Sequence, residues 1–190
     1  MKGLLRGTDL VGLPVVTLTG DDIAEVRDVV FDAGHGQIVG FTLNKRSRLG
    51  RRLKEVLTRE QISAVGPDAV MIPADVQLEA ADFVEQTDGD SGGDVIADRV
   101  ITDTGVVVGT VTDVVIDTGD GSIVGYEVVP ADEPDQRKGR RSYLPLPETG
   151  AVSGEALIVP AAAVDYVSND LAGFAEAVDS YRDALRGGSR

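Results

Sequence analysis

The sequence contains no cysteine and no tryptophan, a single histidine, and aromatic residues at only 4% of its 190 positions. These absences exclude disulfides and thiolate chemistry and argue against a zinc site. With so few aromatic residues, valine and isoleucine must supply most of the core, and these β-branched residues favour strands. No apolar run reaches the roughly 18 residues that a membrane-spanning helix needs, and the first residues lack a signal-peptide core. We therefore expect a soluble, cytoplasmic protein.

Acidic residues outnumber basic ones, giving a formal net charge of −14. Such a charge argues against nonspecific binding of nucleic acid by the chain as a whole. Positive charge is nevertheless concentrated. Residues 44–56 carry +5 and residues 131–143 carry +1, so the rest of the chain carries −20. These two segments are the basic loops discussed below.

An internal repeat is the strongest signal in the sequence. Residues 11–43 align without a gap on residues 96–128 at a shift of 85, and 14 of the 33 positions are identical. The match resumes at a shift of 87, where residues 69–73 meet residues 156–160. Similarity of this length indicates a duplicated structural unit.

Each copy consists of short apolar segments separated by polar, glycine-rich turns. Residues 15–18 and 38–43 are predicted strands, and the segment from Ile23 to Phe31 is a longer strand that becomes continuously apolar. Many short strands with regular turns are typical of a small barrel, because closure removes exposed edges. We expect one barrel at residues 1–85, a linker at 86–94, a second barrel at 95–168, and a helix with a tail at 169–190.

The last segment is predicted to be an amphipathic helix, with Asn169 as a candidate N-cap. Its apolar residues recur at steps of three and four and form one stripe: Leu171, Phe174, Val178, Tyr181 and Leu185. One interpretation is a helix that covers a barrel opening. The alternative is a surface for a partner or a second copy of the chain.

The first copy carries a motif of apolar residues, glycines and aspartates, repeated from Val100 through Asp117: Asp9-Leu10-Val11-Gly12-x-Pro14-Val15-Val16, then Gly20, then Val26-x-Asp28-Val29-Val30-x-Asp32. This motif resembles the PRC-barrel family, which includes the cytoplasmic domain of the photosynthetic reaction-centre H subunit and the C-terminal domain of the ribosome maturation factor RimM. The resemblance implies a mainly β fold with two tandem PRC-type barrels and a C-terminal amphipathic helix. It also implies protein–protein docking, since the motif is structural and contains no active site.

Candidate catalytic residues are few. His35 lies in a glycine-rich turn without a second ligand or a nucleophile, so we interpret it as a solvated turn residue. Two aspartate pairs, Asp28 with Asp32 and Asp113 with Asp117, have a spacing of four. We predict that the first member of each pair accepts a neighbouring backbone N–H and that the second begins a turn. No catalytic residue, metal site or cofactor is expected.

The two basic loops are not required by a barrel, and they are the candidate contact with a partner. The first contains Lys45, Arg46, Arg48, Arg51, Arg52 and Lys54, and the second contains Arg137, Lys138, Arg140 and Arg141. They could be solvated loops. Alternatively they bind an anionic surface, either RNA or lipid headgroups, or an acidic protein, including another copy of this chain.

These observations favour a non-enzymatic adaptor that binds a protein or a membrane-associated complex through the basic loops. The apolar stripe of the C-terminal helix is a second candidate surface. The alternative hypothesis is a ribosome- or RNA-associated factor, as the similarity to the barrel of RimM implies.

Overall fold

The computed structural model describes residues 3–32, 36–46, 51–80, 95–133, 139–146, 151–152 and 156–187. The fold is mainly β, with two sheets and a C-terminal helix, which confirms the predicted fold class. The chain divides into two compact units: unit 1 comprises residues 1–91 with 116–122, and unit 2 comprises residues 92–115 with 123–190. None of the helices in the described ranges is long and apolar enough to cross a bilayer.

The sheet of the first copy is built around a long antiparallel hairpin. The strands of this copy are β1 (Leu4–Arg6), β2 (Pro14–Thr17), β3 (Asp22–Asp32), β4 (Gln37–Lys45), β5 (Arg52–Thr58), β6 (Ala64–Val65), β7 (Val70–Ile72) and β8 (Glu79–Ala80). Hydrogen bonding joins seven of them in the order β6-β7-β2-β3-β4-β5-β8. A one-turn helix α1 (Gly7–Leu10) and a 3-10 helix (Arg59–Gln61) complete the copy.

The second copy repeats this arrangement. Its strands are β9 (Arg99–Thr102), β10 (Val107–Asp117), β11 (Ile123–Pro130), β12 (Ser142–Pro145), β13 (Ala151–Val152) and β14 (Ala156–Val159). Their order is β12-β11-β10-β9-β14-β13. A 3-10 helix (Ala161–Tyr166) and helix α2 (Leu171–Gly187) follow the last strand.

Strand register confirms the duplication and locates the two additional residues of the second copy. Gly40 is paired with Thr58 across β4 and β5, and its counterpart Gly125 is paired with Pro145 across β11 and β12. The shift is therefore 85 before the connecting loop and 87 after it. The insertion falls in the second basic loop, where a change of length leaves the ladder on either side intact.

A threonine-centred turn has the same hydrogen bonds in both copies. The Thr17 hydroxyl accepts the N–H of Asp21 at 2.9 Å, and the Thr102 hydroxyl accepts the N–H of Val106 at 2.9 Å. The glycine within each turn has a positive φ, +94° at Gly20 and +83° at Gly105. Glycine reaches this region without the strain that a Cβ atom causes. The repeated Thr-x-Thr-Gly sequence thus specifies the bend between two strands.

Helix α2 is part of the core of unit 2. Phe174, Val178 and Tyr181 are at most 2% exposed, and the Phe174 ring lies 5.7 Å from the ring of Tyr143 on β12. The helix begins one residue later than expected. The side chain of Asp170 accepts the N–H of Gly173 at 2.7 Å, so Asp170 and not Asn169 is the N-cap.

The backbone at Ala97 offers a test of the equivalence of the two copies. Ala97 has a φ of +74°, and its counterpart Gly12 has a φ of +88°. Both residues donate their N–H to the same place on the neighbouring strand, Val111 in one copy and Val26 in the other, at 2.9 and 2.8 Å. The second copy therefore keeps the left-handed backbone conformation of Gly12, although its residue at this position is an alanine.

We expect Ala97→Gly to stabilise unit 2, because the left-handed conformation strains an L-residue by about 1–2 kcal/mol and glycine removes this strain. Part of the gain is offset, since glycine loses about 0.5–1 kcal/mol more backbone entropy on folding than alanine. The predicted gain is up to about 1 kcal/mol, which raises the Tm of unit 2 by at most about 4–8 °C, measured by circular dichroism. Gly12→Ala is the matched control. No atom lies within 4 Å of its added Cβ, so only strain acts, and stability should fall. A lower Tm for Ala97→Gly would contradict the left-handed backbone conformation of Ala97.

Candidate functional site

The first basic loop is held at its base by the β4–β5 hairpin. Asn44 on β4 is paired with Arg52 on β5, and the N–H of Lys45 donates to the carbonyl oxygen of Arg51 at 2.9 Å. These contacts place Lys45 and Arg51 at the mouth of the loop. Arg48 lies outside the described residues.

A groove of about 690 Å³ opens beside this hairpin. Its described lining contains four cations and one carboxylate, together with three apolar side chains: Lys45, Arg51, Arg52, Lys54, Glu55, Ile23, Leu53 and Leu78. Its volume is within the range of small-molecule clefts. We call it the cationic groove.

The cations of the first loop differ in whether they have acidic neighbours. The guanidinium of Arg46 is 2.7 Å from Asp22 and 3.8 Å from Glu25, so β3 already neutralises this charge. Within the described part of the chain, the other four cations, Lys45, Arg51, Arg52 and Lys54, form no ion pair. Their positive potential is therefore available to a ligand in the groove.

The second basic loop is organised differently. Arg141 is 3.4 Å from the carboxylate of Glu127, and Arg140 is 3.3 Å from that of Asp132. The backbone N–H of Arg140 also donates to Glu133 at 2.9 Å. Arg137 and Lys138 lie outside the described residues. The sequence proposes both loops as contacts, but the two described arginines of the second are paired within their own unit.

A single sequence difference accounts for much of this contrast. In unit 2, Glu127 is paired across the strands with Tyr143, and it is only 5% exposed. Its carboxylate accepts the hydroxyl of Tyr143 at 3.2 Å and that of Thr112 at 2.9 Å, and it also holds Arg141.

Thr42 occupies the equivalent place in unit 1, since it lies 85 residues before Glu127 and is paired across the strands with Val56. By the shift of 87, Lys54 is the counterpart of Arg141. Unit 1 therefore has the cation but not the internal carboxylate that would neutralise it. The repeat alignment contains this signal, but only strand register shows that the two positions are neighbours.

The apolar stripe of helix α2 is largely covered. Phe174, Val178 and Tyr181 are buried in unit 2, and the Tyr181 ring lies 5.3 Å from that of Tyr166. The interpretation of a partner surface does not fit these three side chains, because their apolar area is already in contact with their own unit. Leu171 and Leu185, at the two ends, are half-buried.

Three of the four paired aspartates accept backbone N–H groups, as predicted. Asp28 accepts the N–H of Val29 at 2.9 Å, and Asp113 accepts the N–H of Val114 at 2.8 Å. Asp117 accepts the N–H of Gly119 at 2.8 Å and so closes the turn after β10. In unit 1, the register of the ladder shifts between Val26 and Asp28, which marks a bulge, and the first aspartate stabilises it.

The remaining titratable groups of the described residues do not form a cluster typical of an active site. Burial raises the pKa of Tyr126 to about 12, with a further contribution from the Asp98 carboxylate. This phenol therefore stays protonated in the core. Over the described ranges, no three His, Cys, Asp or Glu side chains are grouped so that they could hold a metal ion. His35 lies outside those ranges.

Comparison with known protein families gives one clear result. The family model of the PRC-barrel domain matches the chain twice, over residues 2–79 and 88–166. Each match covers one copy of the repeat, and together they cover most of the chain. A comparison with the curated proteins finds no match.

Proposed function

Because the chain belongs to the PRC-barrel family, we propose that it is a cytoplasmic, non-enzymatic docking protein that binds a protein partner through the cationic groove of unit 1. Domains of this family are generally modules of protein and complex interaction. The observation that carries the proposal is the cluster of four cations without acidic partners in the described structure. Exposed charges of one sign steer encounter and select partners of opposite charge.

Binding of RNA is the second candidate, because phosphates also select lysine and arginine. Two observations weigh against it. None of the described residues that line the groove is aromatic, so the groove offers bases no stacking surface. The chain as a whole carries −14, which repels a long polyanion. Steep loss of binding to RNA between low and moderate salt would support this alternative.

The proposal predicts that reversing the charge of the groove removes the partner. A photo-crosslinking amino acid at Glu55, which lines the groove and is exposed, should capture a protein in living cells. The double variant Arg51→Glu/Arg52→Glu should lower the yield about two- to thirtyfold, since each exposed ion pair contributes about 0.2–1 kcal/mol and two such pairs are lost.

The matched control is Arg27→Glu/Arg99→Glu, which changes the net charge by the same amount at two exposed arginines outside the groove. This variant should keep its crosslinks. A crosslinker at Asp68, exposed in the turn between β6 and β7, should capture the partner poorly. Equal yields from Glu55 and Asp68, insensitive to both double variants, would contradict a docking role for the groove.

A further inference from the structure

We infer that the cationic groove receives an acidic protein segment that also carries an apolar side chain. This inference rests on the proposed function and narrows it from a protein partner to a chemical class of ligand. The groove presents two kinds of surface to that ligand, cations and apolar side chains, and an anion alone uses only the first.

The apolar part of the groove consists of Ile23, Leu53 and Leu78. Ile23 is 38% exposed, and Leu53 and Leu78 are half-buried, so all three keep apolar area in contact with solvent. Covering such area is favourable in proportion to its extent. A leucine or isoleucine of the ligand could cover it, whereas a phosphate or an RNA backbone could not.

The cations around this apolar surface fit carboxylates. Arg51 and Arg52 are adjacent, and each guanidinium can hold a carboxylate through two parallel hydrogen bonds. Lys54 adds a third positive charge, with Glu55 as the only carboxylate in the described lining. A segment with aspartate or glutamate on both sides of an apolar residue matches this arrangement.

The net charge of the chain favours a short ligand over an extended one. Electrostatic interactions are screened beyond about 10 Å at 0.1 M salt. A short acidic segment in the groove therefore experiences mainly the four local cations. A membrane surface or a long RNA also meets the remaining acidic surface of a chain that carries −14, and is repelled by it.

A direct binding measurement tests the inference with the full chain. The probe is a short fluorescein-labelled peptide in which aspartates and glutamates flank a pair of leucines, and its anisotropy is measured at low salt. We expect binding that weakens at least about tenfold when the leucines are replaced by serine in the peptide, because the buried apolar area is lost. This comparison leaves the protein unchanged, so folding cannot explain the difference.

Two changes in the protein complement the peptide series. Arg52→Glu/Lys54→Glu should weaken binding of the leucine peptide about two- to thirtyfold, because two exposed ion pairs of about 0.2–1 kcal/mol each are lost. Thr42→Glu introduces a carboxylate where unit 2 has Glu127, beside Lys54, and should weaken binding about two- to fivefold, as expected for one internal ion pair. Thr42→Gln, of the same size without the charge, should bind the peptide as the unaltered chain does.

Several results would overturn the inference. One is equal affinity for the leucine and serine peptides. Another is tighter binding of a single-stranded RNA oligonucleotide or of phosphatidylglycerol vesicles than of the leucine peptide. A third is an affinity for the leucine peptide that Arg52→Glu/Lys54→Glu leaves unchanged.

The crosslink from Glu55 distinguishes failure of the inference from failure of the proposed function. If the captured segment of the partner is neutral or basic, the docking role is supported and the inference of an acidic ligand is wrong. If the captured segment is acidic with an apolar residue, both are supported. If no protein is captured and the leucine peptide does not bind, both are wrong.

Discussion

Gly125→Ala is expected to unfold unit 2 at temperatures at which unit 1 remains folded. A Cβ atom at this position would lie 2.3 Å from the carbonyl oxygen of Leu144 and 2.4 Å from a ring carbon of Phe174. Neither atom can withdraw easily, because one belongs to the backbone of β12 and the other to the buried face of helix α2. We expect a loss of more than about 3 kcal/mol, above the usual range for overpacking.

Hydrogen exchange with mass spectrometry is the suitable measurement, since a chain with two units need not unfold in one step. Protection in β11, β12 and helix α2 should fall strongly, while β3 and β4 should change little. Gly66→Ala is the control, because the nearest atom to its Cβ is 3.5 Å away and its effect should be within about 0.5 kcal/mol. Unchanged protection in β11 would show that the strand and the helix are farther apart than in this structure.

Glu127→Thr, which introduces the residue of unit 1, has the second large expected effect. It removes the acceptor for two hydroxyl groups and the ion pair of Arg141. Breaking a buried ion pair by removing one partner destabilises by about 3–5 kcal/mol. Because the Arg141 side chain is 28% exposed and can reach water, we expect about 2–3 kcal/mol. Urea unfolding followed by circular dichroism measures this loss.

Glu127→Gln separates the charge from the hydrogen bonds. A glutamine oxygen still accepts a hydroxyl, so this variant should lose less stability than Glu127→Thr. If the two variants lost the same amount, the hydrogen bonds from Tyr143 and Thr112 would contribute nothing and the ion pair with Arg141 would account for the whole effect.

Much of the fold could be predicted from local sequence. The repeated Thr-x-Thr-Gly turns require positive φ at Gly20 and Gly105, and β-branched residues define the strands around them. The helix followed from its apolar spacing. Its N-cap was mispredicted, because Asn169 and Asp170 are both good caps and the choice depends on how Ser168 and the preceding chain approach the helix.

The candidate site was less predictable, because it depends on register between strands. The basic loops are visible in the sequence, yet the two look alike there. They differ in the residue that lies beside the cation. In unit 2 the carboxylate of Glu127 pairs with Arg141. In unit 1 the uncharged Thr42 stands at the place of Glu127, so Lys54, the counterpart of Arg141, has no such carboxylate. The apolar part of the groove was also missed, since Ile23 and Leu78 are distant in sequence from the loop that they adjoin.

The most direct test of the account is an amide chemical-shift map of the full chain during titration with the leucine-containing acidic peptide. We expect the largest changes at Ile23, Lys45, Leu78 and residues 51–55, with little change at residues 139–146. Changes that are largest at residues 139–146, or that are spread evenly over both units, would contradict a docking site in the groove of unit 1.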